Sequence, residues 1–143
     1  MTGNIELLNY IHQNSEMGQD AIKQLIPIVK DDTFKQNLES QFNEYKKIYN
    51  KAKTKIQEMD KDAKGINPLS KASSYIMINL KTLLNKSPSH ISEILIQGST
   101  MGTVDITKKL QEYNDADKEI LDLGNQLLQF EQRNIEELKR FLH

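Results

Sequence analysis

Residues 118–141 read KEILDLGNQLLQFEQRNIEELKRF, and the spacing inside this stretch decides how the chain folds. Steps of four and three pick out Ile120, Gly124, Leu127, Glu131, Asn134, Leu138 and Phe141. That is the seam of a helix packed in a bundle. A carboxylate and a carboxamide, one turn apart, interrupt the row. Polar groups inside a packed helical interior are costly unless partnered. Glu131 and Asn134 are therefore either the remnant of a functional site or a device that fixes how the helices fit.

Working outward, three more long helical patterns appear. The first runs from about Asn4 to Lys30, with the seam Leu8, Ile11, Ser15, Gly18, Ile22, Leu25 and Val29. Pro27 kinks or ends its last turn. Asp31 and Asp32 supply N-cap chemistry for the second helix. Its stripe is Phe34, Leu38, Phe42, Tyr45, Tyr49, Ala52, Ile56, Met59 and Ala63. Gly65-Ile66-Asn67-Pro68 is a stop followed by a start. A short helix over Leu69–Leu84 follows. Ser87 caps the third long helix, with Pro88 at its first position. The third seam is Ile91, Leu95, Ser99, Gly102, Ile106, Leu110 and Tyr113. Asn114 or Asp115 is expected to cap the fourth. No alternating strand pattern occurs. The spacing predicts one all-α domain over residues 1–143: an up-and-down four-helix bundle with a short extra helix between the second and third long helices. That long connection either crosses one end of the bundle or carries the chain along it, which would make the second and third helices parallel.

At 143 residues the chain has room for a real core. It has no Cys, which excludes disulfides, thiolate metal sites and thiol nucleophiles. Met1 to Glu6 shows no basic region leading into an apolar run, and no stretch reaches membrane-span length. A cytoplasmic protein, not an integral membrane one, is expected. Charge is uneven. Lys46 to Lys71 is lysine-rich, and the segment from Glu112 onward is acidic. Such a stripe suits either an anionic partner or a solvated face beside an acidic helix. With Arg133 and Arg140 the only arginines, nucleic-acid binding is not expected.

Gly18, Gly98, Gly102 and Gly124 lie near mid-helix, where each costs ~1 kcal/mol against Ala. They are read as close-packing positions rather than the walls of a ligand cavity. No strand precedes Gly98 and no Gly-Lys-Ser/Thr follows Gly102, so a phosphate loop is excluded.

A bundle of long helices with one long connection, carrying Glu131-Gln132-Arg133-Asn134, resembles the ferritin-like superfamily. There, a Glu from each of two helices and Glu-x-x-His from each of the other two hold two irons. The resemblance implies that Glu131 and Asn134 are one half-site with Asn in place of His. It sets Glu16 at the matching height of the first helix, Tyr45 within Glu44-Tyr45-Lys46-Lys47 on the second, and Gln97 on the third. No Glu-x-x-His is present, and His12, His90 and His143 do not supply one. Two irons need several carboxylates and imidazoles. The chain therefore looks like the small bacterial branches of that superfamily, spore-coat and stress-associated proteins among them, that keep the bundle and lose the metal site. The implied reading is a non-enzymatic structural or interaction protein without cofactor or catalytic residues. Its interior polar cluster would be Glu16, Tyr45, Gln97, Glu131 and Asn134, with Tyr45 and Gln97 donating to Glu131. The alternatives are one metal ion or small ligand held by Glu16 and Glu131, or surface binding through Lys46–Lys71. Leu7, Ile28, Ile48, Ile96, Leu121, Leu128 and Leu142 suggest a second buried face and a homodimer.

Overall fold

A computed structural model of the chain describes residues 3–59 and 85–143. Among these are four long α-helices and no strand: α1 over Asn4–Leu25, α2 over Asp32–Glu58, α3 over Pro88–Glu112 and α4 over Lys118–Lys139. The predicted Gly65–Pro68 stop, the short helix at Leu69–Leu84 and the end of the second stripe lie outside the described residues.

Local chemistry sets most helix ends. α1 stops at Leu25, and Pro27 sits in a 3-10 turn over Ile26–Ile28. Proline lacks the N–H that another α-turn would need. The Asp31 carboxylate accepts the Phe34 N–H at 2.8 Å and opens α2. Ser87 Oγ accepts the His90 N–H at 3.2 Å and opens α3, with Pro88 at its first position. The start of α4 differs from expectation. Asp117, not Asn114 or Asp115, precedes the first helical residue, and its side chain makes no cap bond. Tertiary partners hold these acids instead. Asn4 Nδ2 donates to Asp117 Oδ2 at 3.0 Å, the Asp117 N–H donates back to Asn4 Oδ1 at 2.8 Å, and the Gly3 N–H donates to Asp115 Oδ1 at 3.2 Å. The turn between α3 and α4 is thereby tied to the start of α1.

Contacts between helices give their directions. His12 stacks on Tyr49 and Gly18 faces Tyr45, so α1 and α2 are antiparallel. Gly102 faces Glu131 and Gly124 faces Leu110, so α3 and α4 are antiparallel as well. α4 runs against α2, from Lys55–Glu119 at one end to Asn37–Glu137 at the other. It follows that α2 and α3 point the same way. The order is up, down, down, up rather than strict alternation. The chain leaves α2 beside the start of α4 and enters α3 beside its end, where Ser89 bonds His143.

Every residue of the predicted α1 seam is buried. Leu8, Ile11 and Leu25 meet Phe34, Leu38, Ile56, Ile91, Ile106, Leu127 and Leu138 in one apolar core. Each such side chain contributes roughly 1.5–3 kcal/mol relative to an exposed one. Phe34 and Phe141 close one end, ring centroids 4.8 Å apart. The second face expected to make a dimer is used within the chain. Leu7 and Ile48 are 0% exposed, Ile28, Ile96, Leu121 and Leu128 pack half-buried against the core, and Leu142 alone of that set is exposed. α1 touches all three other helices, so it needs more than one apolar stripe.

Candidate functional site

Glu131 is the centre of the polar interior. Helix periodicity points it inward with Leu127 and Leu138, and it is 0% exposed. The Tyr45 hydroxyl, also buried, donates to Glu131 Oε1 across the interface of α2 and α4. Edge-on packing against Phe130, centroids 4.7 Å apart at 80°, holds the Tyr45 ring. Burial pushes the Glu131 carboxyl up from 4.5 to about 7, against the opposing pull of the Tyr45 hydroxyl and of Ser99. Ser99 stops short of a well-formed bond, and Glu131 Oε2 has no hydrogen-bond partner among the described residues.

Two glycines make room for this pair. A Cβ on Gly18 would sit 2.5 Å from the Tyr45 ring, and one on Gly102 would sit 3.3 Å from Glu131 Oε2. Helices α1 and α3 are thus thinned at the level where α2 and α4 carry large polar side chains. Gly124 serves the apolar packing, its Cβ position lying 2.7 Å from the Leu110 side chain. Gly98 is buried one turn before Gly102.

Asn134 is 2% exposed and its Nδ2 has no partner among the described residues. It lines a cleft of about 160 Å³ between α2 and α4, with Gln41, Glu44, Arg133 and Glu137 around it. At its edge Gln41 Nε2 donates to Asn37 Oδ1 at 2.6 Å, and Asn37 Nδ2 donates to Glu137 Oε2 at 3.2 Å.

Two residues expected in the interior cluster are not there. Gln97 is exposed, and Ser99 takes its place beside Glu131. Glu16 is half-buried with an unpartnered Oε2, and it is absent from the groups acting on Glu131. Gln97 stands two positions before the inward-facing Ser99, and two residues turn an α-helix by about 200°. Glu16, between buried Ser15 and Met17, is turned partly inward without joining Glu131. Matching the height along a helix leaves its azimuth unset. Ser99 was legible in the third seam. Tyr10 and Asn14 were not: they lie off the α1 seam, where Asn14 Nδ2 donates to the Tyr10 hydroxyl at 3.4 Å. Burial, then the Asp105 charge, holds the Tyr10 phenol far above its usual range, with Asn14 opposing and Glu131 adding a smaller upward push. Asp105 is half-buried, and burial raises its carboxyl against Lys108 and Lys109.

Glu131 Oε1 is taken by Tyr45, and burial raises the carboxyl. Among the described residues no three of His, Asp and Glu lie close enough together to hold a metal ion. The described part of the lysine stripe runs along α2. There Lys47 pairs with Glu44, Lys51 meets Gln126, and Lys55 pairs with Glu58 and Glu119. Lys46 and Lys53 are exposed, and Lys61, Lys64 and Lys71 lie outside the described residues. Among those residues no helix is long and apolar enough to cross a membrane. No family model, curated protein or solved structure matches the chain.

Proposed function

We propose that the chain is a non-enzymatic structural or interaction protein, a ferritin-like bundle in which a carboxyl–phenol pair stands where a dinuclear metal centre would be. The Tyr45–Glu131 bond, seated against Gly18 and Gly102, carries this reading. A metal-binding Glu must offer its oxygens to the ion. Here one oxygen accepts a phenol and the other faces the thinned wall of α3. The up, down, down, up order with one long connection supports the ferritin-like assignment, since that superfamily has a single long crossover. In this reading the pair sets the register of α2 on α4. Its role is specificity of fit, the best-attested use of a buried polar group in a helical interface.

The test is a triple variant, Tyr45→Phe, Glu131→Leu and Asn134→Leu, which removes the pair without stranding a hydroxyl. It is expected to keep the helical circular dichroism of the parent and to melt no lower at pH 8. Metal analysis of parent protein purified without chelator accompanies it, with sub-stoichiometric metal expected. Stoichiometric iron, manganese or zinc that disappears in the variant overturns the proposal.

A further inference from the structure

The outer face of α3 has a long run without an exposed charge. Glu93, Gln97, Thr100, Val104, Thr107 and Gln111 recur at steps of four and three, and all are exposed. That is the seam spacing of a helix packed against another helix, yet it lies opposite the seam that packs in the bundle. Between Glu93 and Lys108 this exposed row carries no charge, and Asp105 sits half-buried to one side. Met101, 37% exposed, and Val104, 49% exposed, are two of the three exposed large hydrophobic residues among those described.

The threonine hydroxyls on and beside the row are already satisfied. Thr100 Oγ1 donates to the Ile96 carbonyl, Thr103 Oγ1 to that of Thr100, and Thr107 Oγ1 to that of Thr103, each at 2.7 Å. A hydroxyl bonded to its own helix loses little when water is removed. Burial of these hydroxyls therefore carries a small desolvation cost.

We propose that this face is the contact surface for a second copy of the chain, with α3 packed antiparallel on the partner's α3 about a twofold axis between Thr100 and Met101. The charges at the ends of the row select that occupant. A twofold contact must be self-complementary. Glu93 and Lys108 are equidistant from the midpoint and opposite in sign, so the rotation sets Glu93 beside the partner's Lys108 and Lys108 beside the partner's Glu93. In between, Val104 meets the partner's Gln97, and Met101 meets the partner's Thr100. A parallel pairing would set Glu93 on Glu93 and Lys108 on Lys108. The row from Glu93 to Lys108 spans about 22 Å at the α-helical rise. A single helix pair of that length gives a small interface, of the kind that associates weakly and reversibly.

The face points away from Tyr45 and Glu131, so loss of the dimer leaves the reading of the interior pair untouched, and the reverse. Sedimentation equilibrium of the full chain from about 1 to about 500 micromolar tests the contact, a range that brackets weak association. The mass is expected to rise from 16.5 kDa toward twice that value. Val104→Glu is expected to hold it at the monomer. Glu93→Lys alone and Lys108→Glu alone are each expected to weaken the dimer by roughly fivefold or more, and the two together to restore it, since the swapped charges complement one another again. Circular dichroism checks that these surface variants remain folded. A chain that is monomeric throughout the range overturns the proposal. So does a dimer indifferent to Val104→Glu, or one that the double charge swap fails to restore.

Discussion

The middle of this bundle and its Phe34 end are built on opposite plans. At the end, Phe34, Leu38, Leu138 and Phe141 fill the space between helices with hydrocarbon. In the middle, two helices contribute a carboxyl and a phenol while the other two are cut back to glycine. Hydrocarbon packing tolerates many partners, because dispersion and water exclusion have no direction. A hydrogen bond between Tyr45 and Glu131 permits one rotation of α2 against α4. The end layer supplies stability, and the middle layer selects an arrangement at some cost in stability.

The largest test of this contrast is truncation at the end. Leu38→Ala is expected to lose ~2–5 kcal/mol of unfolding free energy, by the same amount at pH 5 and pH 8. Urea titrations at the two pH values measure it, and a strongly pH-dependent loss would erase the distinction between the layers.

The middle layer is expected to respond to pH instead. Glu131 is raised from 4.5 to about 7 by burial. An acid raised in the folded state binds its proton more tightly there than in the unfolded chain. Its contribution is fully present below about 4.5 and is lost as pH rises through about 7. At ~1.36 kcal/mol per pH unit, that interval is worth on the order of 3 kcal/mol. Other carboxylates titrate too, and Glu119, paired with Lys55, is lowered and works in the opposite sense. The measurement is therefore the difference between parent and Glu131→Gln across pH 4.5 to 8. The variant gains relative to the parent as pH rises. Parallel curves would mean that Glu131 does not titrate in this range.

Gly18→Ala sharpens the comparison at the level of packing. Its Cβ meets the Tyr45 ring, which is held by Glu131 and Phe130 and has nowhere to move. A loss of ~1–3 kcal/mol is expected, read by thermal or urea melts. Gly124→Ala has the smallest effect. Its Cβ meets the end of the Leu110 side chain, which is half-buried and able to swing aside. The gain in helix propensity, ~1 kcal/mol, offsets that adjustment, so the midpoint is expected to stay near the parent's. A Gly124 variant as damaged as the Gly18 variant would show that the two glycines do the same job.

The seams and two of the caps were legible from residue order alone. Leu8 through Val29 and Ile120 through Leu138 are inward because apolar residues at steps of three and four share a face whatever surrounds the helix. Asp31 and Ser87 cap their helices because each reaches only its own backbone. The same locality explains why Glu131 and Asn134 stood out. Gln97 and Glu16 failed because their assignment depended on a partner helix, and height was matched without azimuth. Asp117 was passed over as the residue before α4 because its side chain is engaged by Asn4, which lies 113 positions away in the chain.

By itself, then, the order of residues determined which faces are greasy, where α2 and α3 begin, and that a carboxylate interrupts one interior. These follow from bonds and periodicities within a few residues. Only the packed molecule decided that α2 and α3 run the same way, that Tyr45 is the partner of Glu131, and that Gly18 and Gly102 exist to admit them. Those facts belong to pairs of helices brought together by the core, and no local rule specifies which side chain will be found across the interface.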